Sequence, residues 1–431
     1  MTARTLLLAA LLGGAPFRPL SAAVVGTNPP AEAVTAGRIA ALPASERAAW
    51  MDYLARSQRQ LEADKAFFAA ELKAHGLATP TVPPAGRGGG MTQKHEPGWY
   101  GGDEARRIAD IMISFQTPGG GWSKNLDMTK RPRQPGELFA GANAAPVTAK
   151  ADDNDRPHDP VWHYIATFDN DATITQLKFL AHVASATAAA QSGPYRASFL
   201  RGLDYIFNSQ FPNGGWPQVW PLEGGYHDAI TYNDDAMVNV LEVLRAVAGG
   251  RDEYAWIPAE IRSRAAVVIE RGLHCIVATQ IRVDGHLTAW CQQHDALTLA
   301  PTSARNYEMR SQTPAESSGI VVFLMEQPHP DAAEVAAVHA AVAWLQKTAM
   351  YGWQLKNTGA DGRRLVAAPG AGPLWPRYVE IGSDRPLFGD RDKSIHDHMD
   401  EISAERRNGY SWYNQTAQAA LDLYATWKKS H

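Results

Sequence analysis

Apolar side chains recur at three- and four-residue spacing through most of this chain, the signature of helices with one buried face. Met237, Val240, Leu241 and Leu244 form one such stripe, and Ile174, Leu177 and Leu180 form another. The pattern predicts helices over 103–115, 171–190, 195–208, 235–248, 258–279, 315–325, 330–348 and 412–428, several opening on Asp or Pro as capping expects. An earlier helix is expected over 45–75, with Trp50, Tyr53, Leu54 and Leu61 on its apolar side. Strand signals are short and few, at 281–288 and 364–367.

A repeated phrase organises these helices. Gln116-Thr-Pro-Gly-Gly-Gly-Trp122 is followed by Asp169-Asn170-Asp171-Ala172 and a helical stripe. Gln210-Phe-Pro-Asn-Gly-Gly-Trp216 is followed by Tyr232-Asn233-Asp234-Asp235-Ala236 and another stripe, and Tyr413 to Ala417 echoes the second opening without its acids. Recurring helix–loop units stack so that their loops share one rim. The expected fold is therefore all-α: an α/α toroid of the (α/α)3 kind, built from helical hairpins with long irregular loops. The loops over 349–409 carry Trp375, Tyr378 and Phe388, and long loops in a compact domain are commonly functional.

Punctuation sets the domain boundaries. Residues 1–23 combine Arg4, the apolar run Thr5 to Leu12 and the small residues Ser21-Ala22-Ala23, which predicts a cleaved signal peptide and a secreted protein, extracellular or periplasmic. That run is too short to span a membrane, and no later apolar run is long enough. Residues 24–36 read as a loose linker and 76–90, rich in Pro and Gly, as a second one. Residues 24–90 thus form a small N-terminal helical region and linker, before a main domain over 91–431.

Composition adds little. With 45% hydrophobic and 20% charged residues the chain is ordinary for a globular protein, and its net charge of −4 offers no basic excess for nucleic acid. Nothing demands more than a monomer. Cys275 and Cys291 are the two cysteines of the chain, and exported chains can bridge such a pair or bury both as small hydrophobes.

The acids carry the chemistry. A helix start needs one capping acid, whereas Asp169 with Asp171, and Asp234 with Asp235, come in clusters. Crowded carboxylates repel unless a proton or cation intervenes, and a hard ion with flexible oxygen coordination, Ca2+ before Mg2+, suits them. Asp152 to Asp155 reads as a solvated acidic loop. Arg305 and Arg310 share one loop, and Arg377 and Arg391 lie in later ones. Guanidinium groups bind carboxylates bidentately, as a polyuronate would require, although surface ion pairing is the plainer role for any single Arg. His294 is an alternative base on ordinary pKa grounds, with a hydrogen-bonded loop histidine as its plainer reading. Lys124 is a ligand for substrate or a loop cap.

The segments Phe168 to Thr173, Asn213 to Gln218, Tyr232 to Ala236, Ala304 to Glu308, Pro376 to Tyr378 and Asn408 to Tyr413 together resemble the family 10 polysaccharide lyases, the helical pectate lyases. The resemblance spans about residues 95–430 in order. It implies a toroid of paired helices that cleaves polygalacturonate (pectate) by Ca2+-dependent β-elimination. Arg305 would be the base, Asp171 with Asp234 or Asp235 the metal-facing acids, and Arg310, Arg377, Arg391, Lys124 and Tyr410 the groups contacting substrate. Arginine is an awkward base, being protonated at ordinary pH. Two other readings fit the residues: an inverting glycoside hydrolase using Asp171 with Asp234 or Asp235 as its paired carboxylates, and a non-catalytic polyuronate-binding protein.

Overall fold

In the computed structural model, which describes residues 24–83, 86, 95–141, 153–154, 159, 161–359 and 362–431, the apolar periodicity becomes eleven α-helices. The short α1 (Ala36–Ala40) and the long α2 (Ala44–Ala74) come first, then α3 (Asp103–Ser114). Three pairs follow: α4 (Ile174–Ala186) with α5 (Gly193–Ser209), α6 (Ala236–Gly249) with α7 (Ala259–Thr279), and α8 (Pro314–Met325) with α9 (Ala332–Thr348). Last come α10 (Ala404–Gly409) and α11 (Ala417–Trp427), and α11 packs on α8 and α9. Within the series α4 touches α6 and α6 touches α8, so the first helices of successive pairs line up with their acidic openings together. The sheets are small, the largest having four short strands.

Buried hydrogen bonds explain the repeated phrase. Gln116, Gln210 and Gln280 each donate their amide to a nearby loop carbonyl and to a carbonyl of the second helix of the next pair: those of Gly120 and Ser198, Gly214 and Val268, Thr288 and Ala337. Trp122, Trp216, Trp290 and Trp375, all essentially buried, donate their indole N–H to carbonyls of Met112, Ile206, Ile276 and Leu345. Glycine is required beside them. Gly120 and Gly214 have φ of 99° and 95°, and a Cβ there would lie 2.2 and 2.0 Å from the carbonyl oxygens of Arg201 and Arg271. The unit that reads as two copies in sequence thus contributes four equivalent tryptophan anchors.

The N-terminal segment departs from expectation. Val24–Thr27, read as linker, is a strand paired with Ser394–His396. Trp50, Tyr53 and Leu54 of α2 belong to the same hydrophobic core as α3 to α9. Strand pairing with a partner some 370 residues away leaves no local pattern to read. The expected strand at 281–288 is a two-residue hairpin, Arg282–Val283 with His286–Leu287, and that at 364–367 is Arg363–Ala367 paired with Trp353–Asn357. Both cysteines are free and buried. Cys275 faces Tyr232, while the Cys291 thiol reaches the Thr302 carbonyl at 3.4 Å, so no bridge forms. The expected signal peptide over 1–23 lies outside the described residues, as do most of 84–94, Asp152 and Asp155.

Candidate active site

The expected helix starting at 171 begins instead at Ile174, because Asp169–Asp171 forms its own 3-10 turn. Asn233–Asp235 forms the matching turn before α6. Their backbones superpose in kind: Asn170 and Asp234 both have φ of 52°, and Asp171 and Asp235 have φ of 58° and 56°. Two consecutive left-handed residues are costly outside glycine and persist where surrounding structure holds them. Capping is not their purpose. Neither Thr173 nor Asp235, the residues preceding α4 and α6, makes a side-chain cap hydrogen bond.

The turns meet. Asn239 of α6 donates its amide to Asp171 Oδ1 at 2.7 Å and approaches the Asp234 carbonyl at 3.5 Å. Asp235 lies against α8, where a Cβ on Gly319 would come within 2.2 Å of its Oδ1. One turn earlier on α8, Glu316 is buried, and its Oε2 has no protein partner. Sequence reading missed Glu316, because an acid in the first turn of a helix reads as an ordinary helix start.

Charge is unevenly balanced here. Asp169 is buried and pairs with Lys124, whose ammonium also stacks 3.5 Å over the Tyr164 ring. Burial works against its charge, but Lys124 and Arg305 outweigh it and hold Asp169 below the usual carboxylate range. Asp234 is pushed up to about 6, by desolvation and then by Asp169, Glu316 and Glu308, against the pull of Arg377. Asp235 is pushed up to about 7, by desolvation, Glu316, Asp234 and Asp171. Asp171 also rises, through desolvation and Asp169.

Cations flank the acids. Arg377 Nη2 lies 3.8 Å from Glu316 Oε1 and 3.4 Å from Asn233 Oδ1, and its guanidinium covers the Tyr410 ring at 4.5 Å. Desolvation opposes its charge, yet Tyr378, Tyr410, Glu316 and Glu308 raise its pKa further, so it is a fixed cation. Arg305 is held through Glu308, whose Oε2 accepts the Arg305 backbone N–H at 3.0 Å while Oε1 lies 3.5 Å from Nη1. Tyr410 donates to the same Glu308 carboxylate at 2.6 Å. A row of carboxylates between fixed cations, at one end of a helical scaffold, is suited to an acidic polymer with a bridging ion.

The pectic acid lyase family model matches residues 116–421. The chain belongs to the pectic acid lyase family. Two solved structures of a family 10 polysaccharide lyase from Cellvibrio cellulosa are similar at 30% identity and a TM-score of 0.64. One is matched over 79% of this chain and 99% of its own. The other is a mutant in complex with trigalacturonic acid, matched over 76% and 95%. A comparison with curated proteins gives no match. This member of the pectic acid lyases is thus a polysaccharide lyase on a helical fold.

Other residues named from sequence scatter around this centre. Arg391 is exposed and forms a bidentate pair with Glu405 at 2.9 and 3.1 Å, the surface role weighed against it. Its backbone carbonyl accepts from Asn306, next to Arg305, at 2.8 Å. Arg310 is exposed and lines a hollow with Val25, Asn28, Pro29 and Glu380. His294 is fully buried, accepts the Cys291 N–H at 3.1 Å, bonds the Leu299 carbonyl at 2.9 Å and is pushed down to about 4 by burial. It is a structural histidine. Lys124, expected at substrate or as a loop cap, is committed to Asp169.

Two remote asparagines brace the Arg305 loop of this lyase. Asn28 donates to the carbonyls of Arg305 and Asn306 at 3.0 Å and of Glu308 at 3.2 Å. The Asn154 backbone donates to Asn306 Oδ1 at 3.0 Å and its side chain to the Ala304 carbonyl at 3.3 Å. Asn28 sits in the segment read as linker and Asn154 in the stretch read as solvated. Only their isolated polar identity could have marked them.

Proposed function

We propose that this protein is a secreted pectate lyase that cleaves polygalacturonate by Ca2+-dependent β-elimination, with Arg305 as the base. The observation that carries this reading is the meeting of two strained acidic turns through Asn239, beside Arg305 and Arg377. The donor set fits a hard cation. Asp171, Asp234 and Asp235 lack capping partners, resist ionising together, and stand next to a Glu316 oxygen without a protein partner. As a set these carboxylates do not close to the 4.8 Å mutual spacing that His163, Glu223 and His227 reach. Calcium, which takes six to eight oxygens including water and substrate, is served by such an open arrangement.

Asp171 with Asp234 and Asp235 would hold the ion, which when bound would supply Lewis-acid stabilisation of a uronate carboxylate. Arg377, held charged, binds a substrate carboxylate and fixes the sugar's position. Arg305 takes the C5 proton on its side chain. The electron pair left at C5 forms the C4–C5 double bond, and the C4 oxygen departs with the leaving sugar, which gains a proton. Arg305 must first shed a proton of its own. A cation among the acids would favour that loss, while Glu308 and Asp169 oppose it.

The raised values of Asp234 and Asp235 also favour a second reading, an inverting hydrolase with a protonated carboxyl as its acid. Incubation with polygalacturonate, with Ca2+ and then with chelator, separates the two. Lyase action yields ultraviolet-absorbing unsaturated oligomers and stops on chelation. Shorter chains without absorbance establish the hydrolase, and binding without shorter chains establishes a non-catalytic polyuronate binder.

A further inference from the structure

We propose that His163, Glu223 and His227 form a buried binding site for a divalent transition metal of the zinc class, separate from the acidic turns. Among the described residues they are the one group of three or more His, Cys, Asp or Glu whose ligand atoms all lie within 4.8 Å of one another. His163 and His227 are 3% and 5% exposed, which places the group away from bulk water.

Their hydrogen bonds orient both imidazoles. His163 Nδ1 lies 2.8 Å from Glu223 Oε2, so the metal-free pair shares a proton. His227 bonds the backbone of Gly224 and leaves Nε2 without a protein partner. His163 Nε2 also has none. A metal taking the place of the proton between His163 Nδ1 and Glu223 Oε2 would find the unpartnered Nε2 of His227 as its third ligand atom. For His227, the backbone bond to Gly224 on its other nitrogen is the arrangement by which proteins set the tautomer of a metal-binding histidine.

Chemistry separates this site from the calcium reading. Imidazole nitrogen suits zinc, copper or nickel, and Ca2+ takes oxygens. Two imidazoles and a carboxylate leave one tetrahedral position for water. The site joins the loop 162–168 to the loop 218–228: Tyr164 N–H donates to Glu223 at 2.6 Å, and Phe168 and Gln218 are linked along the backbone. A metal there would fasten the loop carrying Asp169 to the loop entering the second acidic turn. The proposal does not depend on the lyase reaction.

The test uses the full chain stripped of metal and titrated with Co2+, then Zn2+. Wild type should take one ion per chain by elemental analysis, show the strong visible bands of four-coordinate Co2+, and lose them to Zn2+. His227→Gln and Glu223→Gln should each weaken Co2+ binding at least about tenfold, while Asp171→Asn leaves it unchanged. Failure of folded wild type to bind Co2+ or Zn2+ stoichiometrically overturns the proposal. So does a wild-type spectrum of the weak octahedral kind, which does not require the variants to fold. Binding unchanged in both His227→Gln and Glu223→Gln likewise overturns it.

Discussion

The turns 169–171 and 233–235 share one backbone bend and differ in how their charges are met. In the first, Asp169 is buried with Lys124 and ionises more readily than a free carboxylate. In the second, the corresponding position is the neutral Asn233, the next two residues are Asp234 and Asp235, and both acids hold protons to about 6 and 7. Asp171 sides with the second turn, since it too is raised and is tied to it by Asn239. The same motif has thus supplied one acid that its own scaffold neutralises and three that it does not. Three under-compensated acids facing one another are a place for a charge that arrives with the substrate or the solvent.

The largest effect should come from the cation shared with the first turn. Arg305→Ala should lower turnover by about 10²- to 10⁴-fold, the range for losing a general base, with folding retained by circular dichroism. Wild-type turnover in that variant removes Arg305 as the base. Lys124→Met breaks the contrast itself, leaving Asp169 buried and unpaired. Chemical denaturation should show a loss of about 3–5 kcal/mol, and an unchanged midpoint would mean that Asp169 is not held by this pair.

Asn28→Ala sharpens the contrast from outside, by loosening the loop that brings Arg305 to the first turn. Three carbonyls lose a donor, so stability should fall by about 1–3 kcal/mol. Turnover should fall more than substrate affinity does, and equal changes in both would reduce Asn28 to a simple packing residue.

The smallest effect is a pH slope. Asp234 and Asp235 are raised from 3.8 to about 6 and 7, so the folded chain binds protons more tightly than the unfolded one. Their contribution to stability is present below about pH 4 and is lost as pH rises through those two values. Asp235→Asn should therefore flatten the decline in melting temperature between pH 5 and pH 8, and Ca2+ should raise the wild-type melting temperature at pH 8 more than at pH 5. Parallel slopes in wild type and variant would contradict the uncompensated charge.

What was legible in the sequence was what repeats locally. The stripe Met237–Val240–Leu241–Leu244 and the Gly-Gly-Trp phrases read correctly as helix and loop because each pattern is set within a few neighbouring residues. Both acidic turns, however, read as helix starts, since two left-handed residues leave no trace in composition. Glu316 and Asn239 escaped because each joins the site through tertiary contact, and Glu308 because its local bond to Arg305 depends on the loop's bend. Asn28 escaped for the same reason, together with the strand before it. Arg377 and Arg391 looked alike as loop arginines; burial against Tyr378 and Tyr410 makes one a fixed cation, and exposure beside Glu405 makes the other a surface ion pair.

Calcium titration by calorimetry at pH 8, in the presence of trigalacturonate, tests the convergence of the two turns most directly. One Ca2+ per chain should bind wild type, and Asp171→Asn and Asp235→Asn, acids of different turns, should each weaken it. Calcium binding that persists unchanged in both variants, or fails in wild type, would contradict a shared cation between the turns.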